Sequence, residues 1–410
     1  MAFKATKQSA PSTPATNKAE IYFDTTTRRA TQIDDLGVKS VLVNDGLKNR
    51  NIITNGGLYI QQRVATAATA IAGISTTTRG GVVSDCFSVS ASTATNVAWA
   101  QIDSNASPET GLLARYYGSI VKSSAVKKVM ISHYILFSDM AHLRGQQVRV
   151  SCKTNIKVGN AQTLKLGLIQ LSSTGTVDAP PAFLSGAWSG VLGTDPAWNT
   201  NTAAITPDAG ITPENGTISG AYLEISAQQT TWVRSSCVFT VPSNCKGLYV
   251  VLFSNETGGS TDNISVAEFQ LTLGQEITDF VQPPLAEELI KCQRRYCKTF
   301  ALTTVPVTNA GINTGECKAV AGKAGAVANA CIFAWRFPVV MWKTPVTVTL
   351  YNPGAANALG RNLTGAADLG ATALTAQLDS SVMAISTGVA ATAVGDQCGI
   401  HITADAEIVA

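Results

Sequence analysis

Charge is scarce in this chain. Asp, Glu, Lys and Arg make up only 14% of its 410 residues, against roughly 25% in an average soluble protein. Such scarcity suits a subunit that hides much of its surface in an assembly; a neutral, β-rich monomer is the other reading. Long apolar runs are missing too. No window reaches the ~18 consecutive apolar residues of a membrane helix, and the most apolar run, VATAATAIAGI at 64–74, is short and broken by threonine. The opening MAFKATKQSAPSTPATNKAE has no apolar core, so no secretory leader is expected. There are three histidines, His133, His142 and His401, far apart and without ligand-spaced partners, which predicts structural roles rather than metal binding. GxSxG, P-loop and HExxH patterns are absent. No dense Lys/Arg stripe with interleaved aromatics marks a nucleic-acid binder. Neither a catalytic residue, a cofactor nor a metal is expected.

Cysteine is present nine times, but no CxxC pair exists. An odd count without a leader predicts reduced thiols in a cytosolic product, packed as small hydrophobes. Cys292 and Cys297 stand five apart on a predicted helix and so point to different faces. Cys237 and Cys245 flank the turn VPSNCKG and offer the alternative of a cross-hairpin disulfide.

The remaining composition is rich in Thr, Ser, Asn, Gln and Gly, which fill strands and turns. The chain is predicted to be mainly β, in four parts: an N-terminal arm and small β-meander over 1–50, a central antiparallel jelly-roll-like sandwich over 51–282, a connecting helix over 283–300, and a small C-terminal β-sandwich over 301–410. In the first part EIYFD, RATQI and VKSVLV read as short strands, too few to bury a core alone. Residues 1–50 also carry eight basic and five acidic side chains. That mild excess fits either contact with an acidic partner surface or solvated linker charge.

About ten short strands with turn signals follow to residue 273 and imply a sandwich. The irregular segment 178–220 interrupts them, and unstructured insertions of that length are commonly functional or assembly loops. It holds Trp188, Trp198, Asn199 and Asn201, candidates for glycan contact because aromatic rings stack on sugar faces. Filling a core or a subunit interface is the competing use of both tryptophans. Asp195, Asp208, Glu214 and Glu224 are candidates for paired-carboxylate sugar hydrolysis, but turn chemistry accounts for them better. SNETGGSTDN at 254–263 reads as a turn, without a fixed calcium-ligand pattern. The predicted helix starts after Pro283 and Pro284, with Glu287 and Glu288 in its first turn and an apolar stripe of Leu289, Cys292 or Gln293, Tyr296 and Phe300. The closing strand is expected to turn His401, Thr403 and Asp405 outward.

Four pieces, taken in order, resemble the modules of tailed-bacteriophage fibres and related virion appendages. NIITNGGLYIQQR resembles their N-x-x-x-N-G opening that closes on Q-R. LTLGQEITDFVQPPLAEELIKCQRRYCKTF resembles their exit, ending in an E-E-L-x-x-C-Q-R-Y-Y helix, with Cys297 here in place of an aromatic residue. RFPVVMWKTPVTVTLYNP with HITADAEI is similar to the small β-domain that follows. IYFDTTTRRATQIDDLGVKSVL resembles N-terminal hairpin units of fibres and spikes. The resemblance implies a virion component, attached to other virion proteins through 1–50, commonly a homotrimer, with a carbohydrate-binding-like jelly roll that contacts host surface glycans. A capsid decoration or head fibre without receptor role, and a polysaccharide-degrading tailspike, are the alternatives; long parallel β-helix rungs for the latter are absent.

Overall fold

In the computed structural model the described residues are 7–8, 20–24, 29–33, 39–41, 50–63, 69–70, 81–91, 97–105, 111–122, 128–158, 163–172, 184, 195–225, 231–254, 263–311, 315–324, 327–343 and 346–407. The chain divides into two compact units, Met1–Arg50 and Asn51–Ala410. In the first, β1 (Lys7–Gln8) runs parallel to β2 (Glu20–Asp24), and β3 (Arg29–Ile33) and β4 (Lys39–Val41) continue antiparallel. The second unit is mainly β throughout.

Its first part is a sandwich of two antiparallel sheets. One sheet has the order β14 (Thr217–Ser219), β15 (Tyr222–Ile225), β12 (Leu164–Leu171), β17 (Gly247–Ser254), β10 (Val129–Ile135), β7 (Phe87–Ala91), β6 (Gly81–Ser84), with β13 (Thr202–Ile205) also on β12. The other runs β16 (Val233–Thr240), β11 (Gln147–Val158), β18 (Asn263–Leu273), β9 (Tyr116–Lys122), β8 (Val97–Asp103), β5 (Thr69–Ala70). Between them lies one apolar core that includes Phe87, Trp99, Val150, Leu166, Phe239 and Phe269. Strand β11 shows why its alternation is imperfect in sequence. Val148, Val150 and Cys152 face the core, but a bulge on β18 shifts the register between Ser151 and Lys153. Glu268 occupies that bulge with φ +52. Its buried carboxylate accepts the Ala114 N–H at 3.0 Å and pairs with Lys153 at 2.9 Å. The segment 178–220 is less irregular than its sequence implies: β13 and β14 extend the first sheet, and Trp198 bridges to Leu184.

The opening and exit motifs fold onto one another. Asn51 binds β18 on both sides, donating to the Phe269 carbonyl at 2.8 Å and accepting from Leu271 N–H at 3.1 Å. Asn55 takes φ +59, and its side chain donates to the Ile60 and Asp85 carbonyls while accepting from the Tyr59 and Ile60 N–H groups. A Cβ on Gly56 would sit 2.2 Å from the Phe269 carbonyl oxygen, so only glycine fits there. Besides the short α1 (Phe137–Met140), the chain forms helix α2 (Leu285–Gln293), which closes over this motif with Glu288, whose carboxylate accepts the Asn55 N–H and the Lys291 ammonium.

That helix differs from expectation in length. It ends at Gln293, and Tyr296–Lys298 form β19, because β28 (Gln397–Asp405) presents an open edge for them to pair with. Of the predicted stripe, Cys292, Tyr296 and Phe300 are buried and Leu289 packs against the cluster of Ile60, Cys86 and Cys292, but polar side chains share that layer, since Glu288 and Arg295 are buried as well. Polar groups are tolerated there because each has partners. Arg63 pairs with Asp405 and Glu407 and stacks 3.9 Å from the Tyr296 ring centroid. Arg295 donates to the Tyr134 carbonyl at 2.9 Å. Lys298 donates to the Gln62, Leu302 and Thr304 carbonyls, and burial lowers its pKa to about 8.

Asp85 lies in the same layer and accepts the Gln62 N–H at 3.2 Å. Burial pushes its carboxyl up to about 6, against the pull of Arg63 and a bond from Gln62. A carboxyl with a raised folded pKa binds more protons folded than unfolded between the two values, so stability falls as pH rises through that window. Wild-type protein is therefore expected to lose on the order of 2–3 kcal/mol between about pH 4 and 6, a slope that Asp85→Asn removes. His133 works the other way. Burial and then Arg295 hold it well below its usual range, so its contribution is present above 6.5 and lost as pH falls. It remains in both proteins, and the difference between their urea midpoints across that range isolates Asp85.

The C-terminal sandwich packs a sheet around β28, which pairs with β19 and β23 (Thr347–Tyr351) at one end and β20 (Cys317–Val320) and β24 (Arg361–Asn362) at the other. β25 (Ala367–Asp368) adds to β24. The facing sheet has the order β21 (Gly322–Ala324), β22 (Val327–Arg336), β27 (Ser381–Ser386), β26 (Thr372–Gln377). Strand β28 is buried on both faces. His401 and Thr403, expected outward, are covered: His401 stacks on Phe300 at 4.1 Å and its Nε2 lies 3.3 Å from the Gly311 carbonyl. The expectation of reduced thiols also fails here. Cys331 on β22 and Cys398 on β28 form a disulfide between the sheets, while Cys237 and Cys245 remain separate buried thiols.

Candidate functional site

The outer face of the first sandwich sheet carries a second aromatic cluster, distinct from the core, with Tyr134, Tyr222, Tyr249 and Phe253 buried and Trp198 packed half-buried against it. Trp198 Nε1 donates to the Tyr222 hydroxyl at 2.8 Å. The Tyr222 ring meets Phe253 edge-on, with centroids 5.1 Å apart. Burial pushes the Tyr222 phenol up to about 12, although the bond from Trp198 opposes the rise. Gly167, on the adjacent strand, makes room for this ring: a Cβ there would lie 2.6 Å from Tyr222 Cδ1.

Charge borders the rings. Lys165 Nζ lies 2.8 Å from Asp195 Oδ1, 3.3 Å from Glu224 Oε1 and 5.7 Å from the Tyr222 ring centroid. Burial works against the Lys165 charge, but the two carboxylates outweigh it and raise its pKa. One patch thus joins an indole, a phenol, an ammonium and two carboxylates. It can offer ring surface to apolar CH groups and hydrogen-bonding groups to hydroxyls.

Of the residues singled out in sequence, Trp198 lies in this patch. Asn199 and Asn201 are half-buried beside it and shape its turn, where the Asn199 carbonyl accepts the Thr202 N–H at 2.8 Å and the Asn201 carbonyl accepts Ser172 N–H at 2.7 Å. Trp188 and most of SNETGGSTDN lie outside the described residues. The four acidic candidates do not converge. Asp195 and Glu224 share Lys165, Asp208 accepts from Gln147 and Thr240, and Glu214 is held by Arg234 and Ser236. Sequence reasoning passed over Tyr222 and Lys165. The lone glycine in LKLGLIQL was the available signal, since glycine inside a strand marks close approach of another group.

No protein-family model matches the chain, and no curated protein does. Among solved structures, TmCBM61 in complex with β-1,4-galactotriose is similar over 55% of this chain and 99% of its own, at 11% identity and a TM-score of 0.29. The CBM22-1 xylan-binding domain from Paenibacillus barcinonensis is similar over 53% of this chain and 99% of its own, at 11% identity and a TM-score of 0.26. The enzymatically active domain of tailspike protein 4 from bacteriophage CBA120 is similar over 55% of this chain and 21% of its own, at 9% identity and a TM-score of 0.27. Likeness at this level assigns no property to the chain.

Proposed function

We propose that this chain is a non-enzymatic structural appendage of a tailed-phage virion, attached to other virion proteins through residues 1–50 and contacting host surface glycan through its central sandwich. The observation that carries the glycan reading is the Trp198–Tyr222 pair beside Lys165 and its two carboxylates. Sugar recognition needs that combination of ring face and hydrogen-bonding rim. The motifs that resemble phage fibre modules support the virion reading, because their named residues Asn51, Asn55, Gly56, Gln62, Glu288 and Cys292 are those that build the joint.

Self-association, as a homotrimer, belongs to the same proposal. Of the fourteen large hydrophobic residues exposed among the described ones, nine fall in 301–410, including Val320, Ile332, Val340, Leu378 and Val394. We read them as surface that copies of the chain cover in one another. Several copies then add weak contacts through effective concentration. A head fibre or decoration protein without receptor role has no need of the Trp198 patch. Hydrolysis of polysaccharide is disfavoured by the engagement of every acidic candidate in a structural bond.

The test is glycan binding by the purified full chain, with its mass by light scattering. Wild type should retain host polysaccharide and elute at about three times the single-chain mass. Trp198→Ala should bind at least tenfold more weakly, equivalent to about 1.4 kcal/mol per site. Unchanged glycan retention in the variant would remove the patch from the proposal.

A further inference from the structure

The outer face of the sheet that contains β22, β27 and β26 carries a trough. Cys331 and Phe333 on β22 turn into the core, while Ile332, Ala334 and Arg336 face outward and are exposed. Strand pairing lays out the rows of this face. Arg336 stands opposite Ser381, Ala334 opposite Met383, and Ile332 opposite Ile385. On the other side of β27 a bulge between Leu374 and Ala376 sets Ala376 opposite Met383. Thr375, the extra residue, donates its hydroxyl to the Met383 carbonyl at 3.2 Å. Bulges re-aim side chains, and this one places a methyl group in the row instead of the threonine side chain. Met383 thus lies between two alanines, whose side chains are too short to fill the surface on either side of it. The result is a cavity of about 520 Å³, lined by Ala334, Trp335, Arg336, Ala376, Ser381 and Met383. Small-molecule sites run from about 300 to 1,000 Å³. The space of about 20 Å³ at the joint, bordered by Cys86 and Arg295, holds roughly one water by comparison.

We propose that this trough is a second glycan site and that it takes a carboxylate-bearing sugar, a uronic acid of a surface polysaccharide. The class of ligand follows from charge. Among the described residues no carboxylate pairs with Arg336, whereas Arg63, Arg115, Arg234 and Arg361 each have such a partner. A guanidinium left open in this way offers parallel N–H donors that fit a carboxylate at two points. The nearest acid along the chain, Asp379 in the turn between β26 and β27, stands outside the cavity lining. Ser381 opposite Arg336 adds a hydroxyl at the same end. Ala334, Met383 and Ala376 supply an apolar floor for ring CH groups, and the half-exposed Trp335 borders it. The Trp198 patch differs in this respect. There two carboxylates hold the Lys165 ammonium, so an acidic sugar would meet like charge. The proposal rests on the glycan reading above and adds to it a requirement for negative charge in the polysaccharide.

The experiment titrates the full chain in a calorimeter with short oligomers of galacturonate and of mannuronate, and with the same oligomers after carboxyl reduction. Wild type should bind at least one acidic oligomer tenfold or more tightly than its reduced counterpart. Arg336→Gln should remove that preference. Ala334→Phe, which fills the trough and leaves the charge in place, should weaken binding of the acidic oligomer at least tenfold. Both positions are exposed, so neither variant should move the urea midpoint. Trp198→Ala should bind the acidic oligomer as wild type does. Unchanged retention of host polysaccharide by that variant would remove the Trp198 patch while the uronate preference of wild type still supports the trough. Failure of wild type to bind either acidic oligomer, equal binding of acidic and reduced forms, or full binding by Arg336→Gln or Ala334→Phe overturns the site. A changed mass by light scattering in either trough variant would make the trough a contact between copies, and overturns it as well.

Discussion

Replacing Arg63 with alanine is expected to cost about 3–5 kcal/mol of folding stability, the penalty for leaving a buried charge without its partner. Arg63 is held by Asp405 and Glu407, with Asp85 adding attraction, and its guanidinium lies on the Tyr296 ring. Removing it strands carboxylates from the end of the C-terminal sandwich against the opening motif of the central one. Arg115 is the control. It also makes an ion pair, at 2.8 Å to Asp103, but its side chain is 49% exposed. Exposed pairs contribute little, so Arg115→Ala should leave the urea midpoint where it was. The two variants measured side by side decide whether the joint couples the sandwiches. Equal effects would mean that it does not.

The second large effect concerns the inter-sheet disulfide. Cys331 and Cys398 are separated by 67 residues, and closing a loop of that length stabilises by about 4 kcal/mol in the chain-entropy view. Cys331→Ala with Cys398→Ala should lower the unfolding midpoint of the C-terminal sandwich by that amount. Wild-type protein unfolded in the presence of a reductant should coincide with the double variant. If reductant changes wild type and variant alike, the stabilisation arises elsewhere.

Much of this architecture is legible in the residues, and the failures have identifiable causes. The strands of the sandwich announce themselves through β-branched and aromatic runs between turns, as in GLYVVLFS and ISVAEFQLTL. Asn55 and Gly56 are readable as a special turn, since Asn tolerates the positive φ of position 55 and only glycine leaves room for the Phe269 carbonyl at position 56. The helix is shorter than its pattern implies because Tyr296–Lys298 pair with a strand distant in sequence, and its apolar face meets a layer that also holds the polar Asn55, Gln62 and Asp85. Periodicity cannot reveal that an inward-facing Glu288 will find an unpaired N–H from a residue more than two hundred positions away. His401 and Thr403 were placed outward for a related reason: alternation shows two faces but not a second layer covering both. The disulfide was hidden by distance along the chain, and the Trp198 patch was half visible, through its tryptophan and not through the tyrosine it leans on.

Strand β28 sets an order on how the molecule can be made. It is the shared partner of four shorter strands drawn from residues 296 to 362, and none of these can dock until residues 397–405 have emerged from the ribosome. The central sandwich, by contrast, has its strands in hand once residue 273 is out. The joint must then wait as well, since Arg63 reaches its carboxylates only when positions 405 and 407 arrive. A nascent chain paused in between would hold one finished body and a tail of uncommitted β-forming segments, the interval most exposed to misassembly.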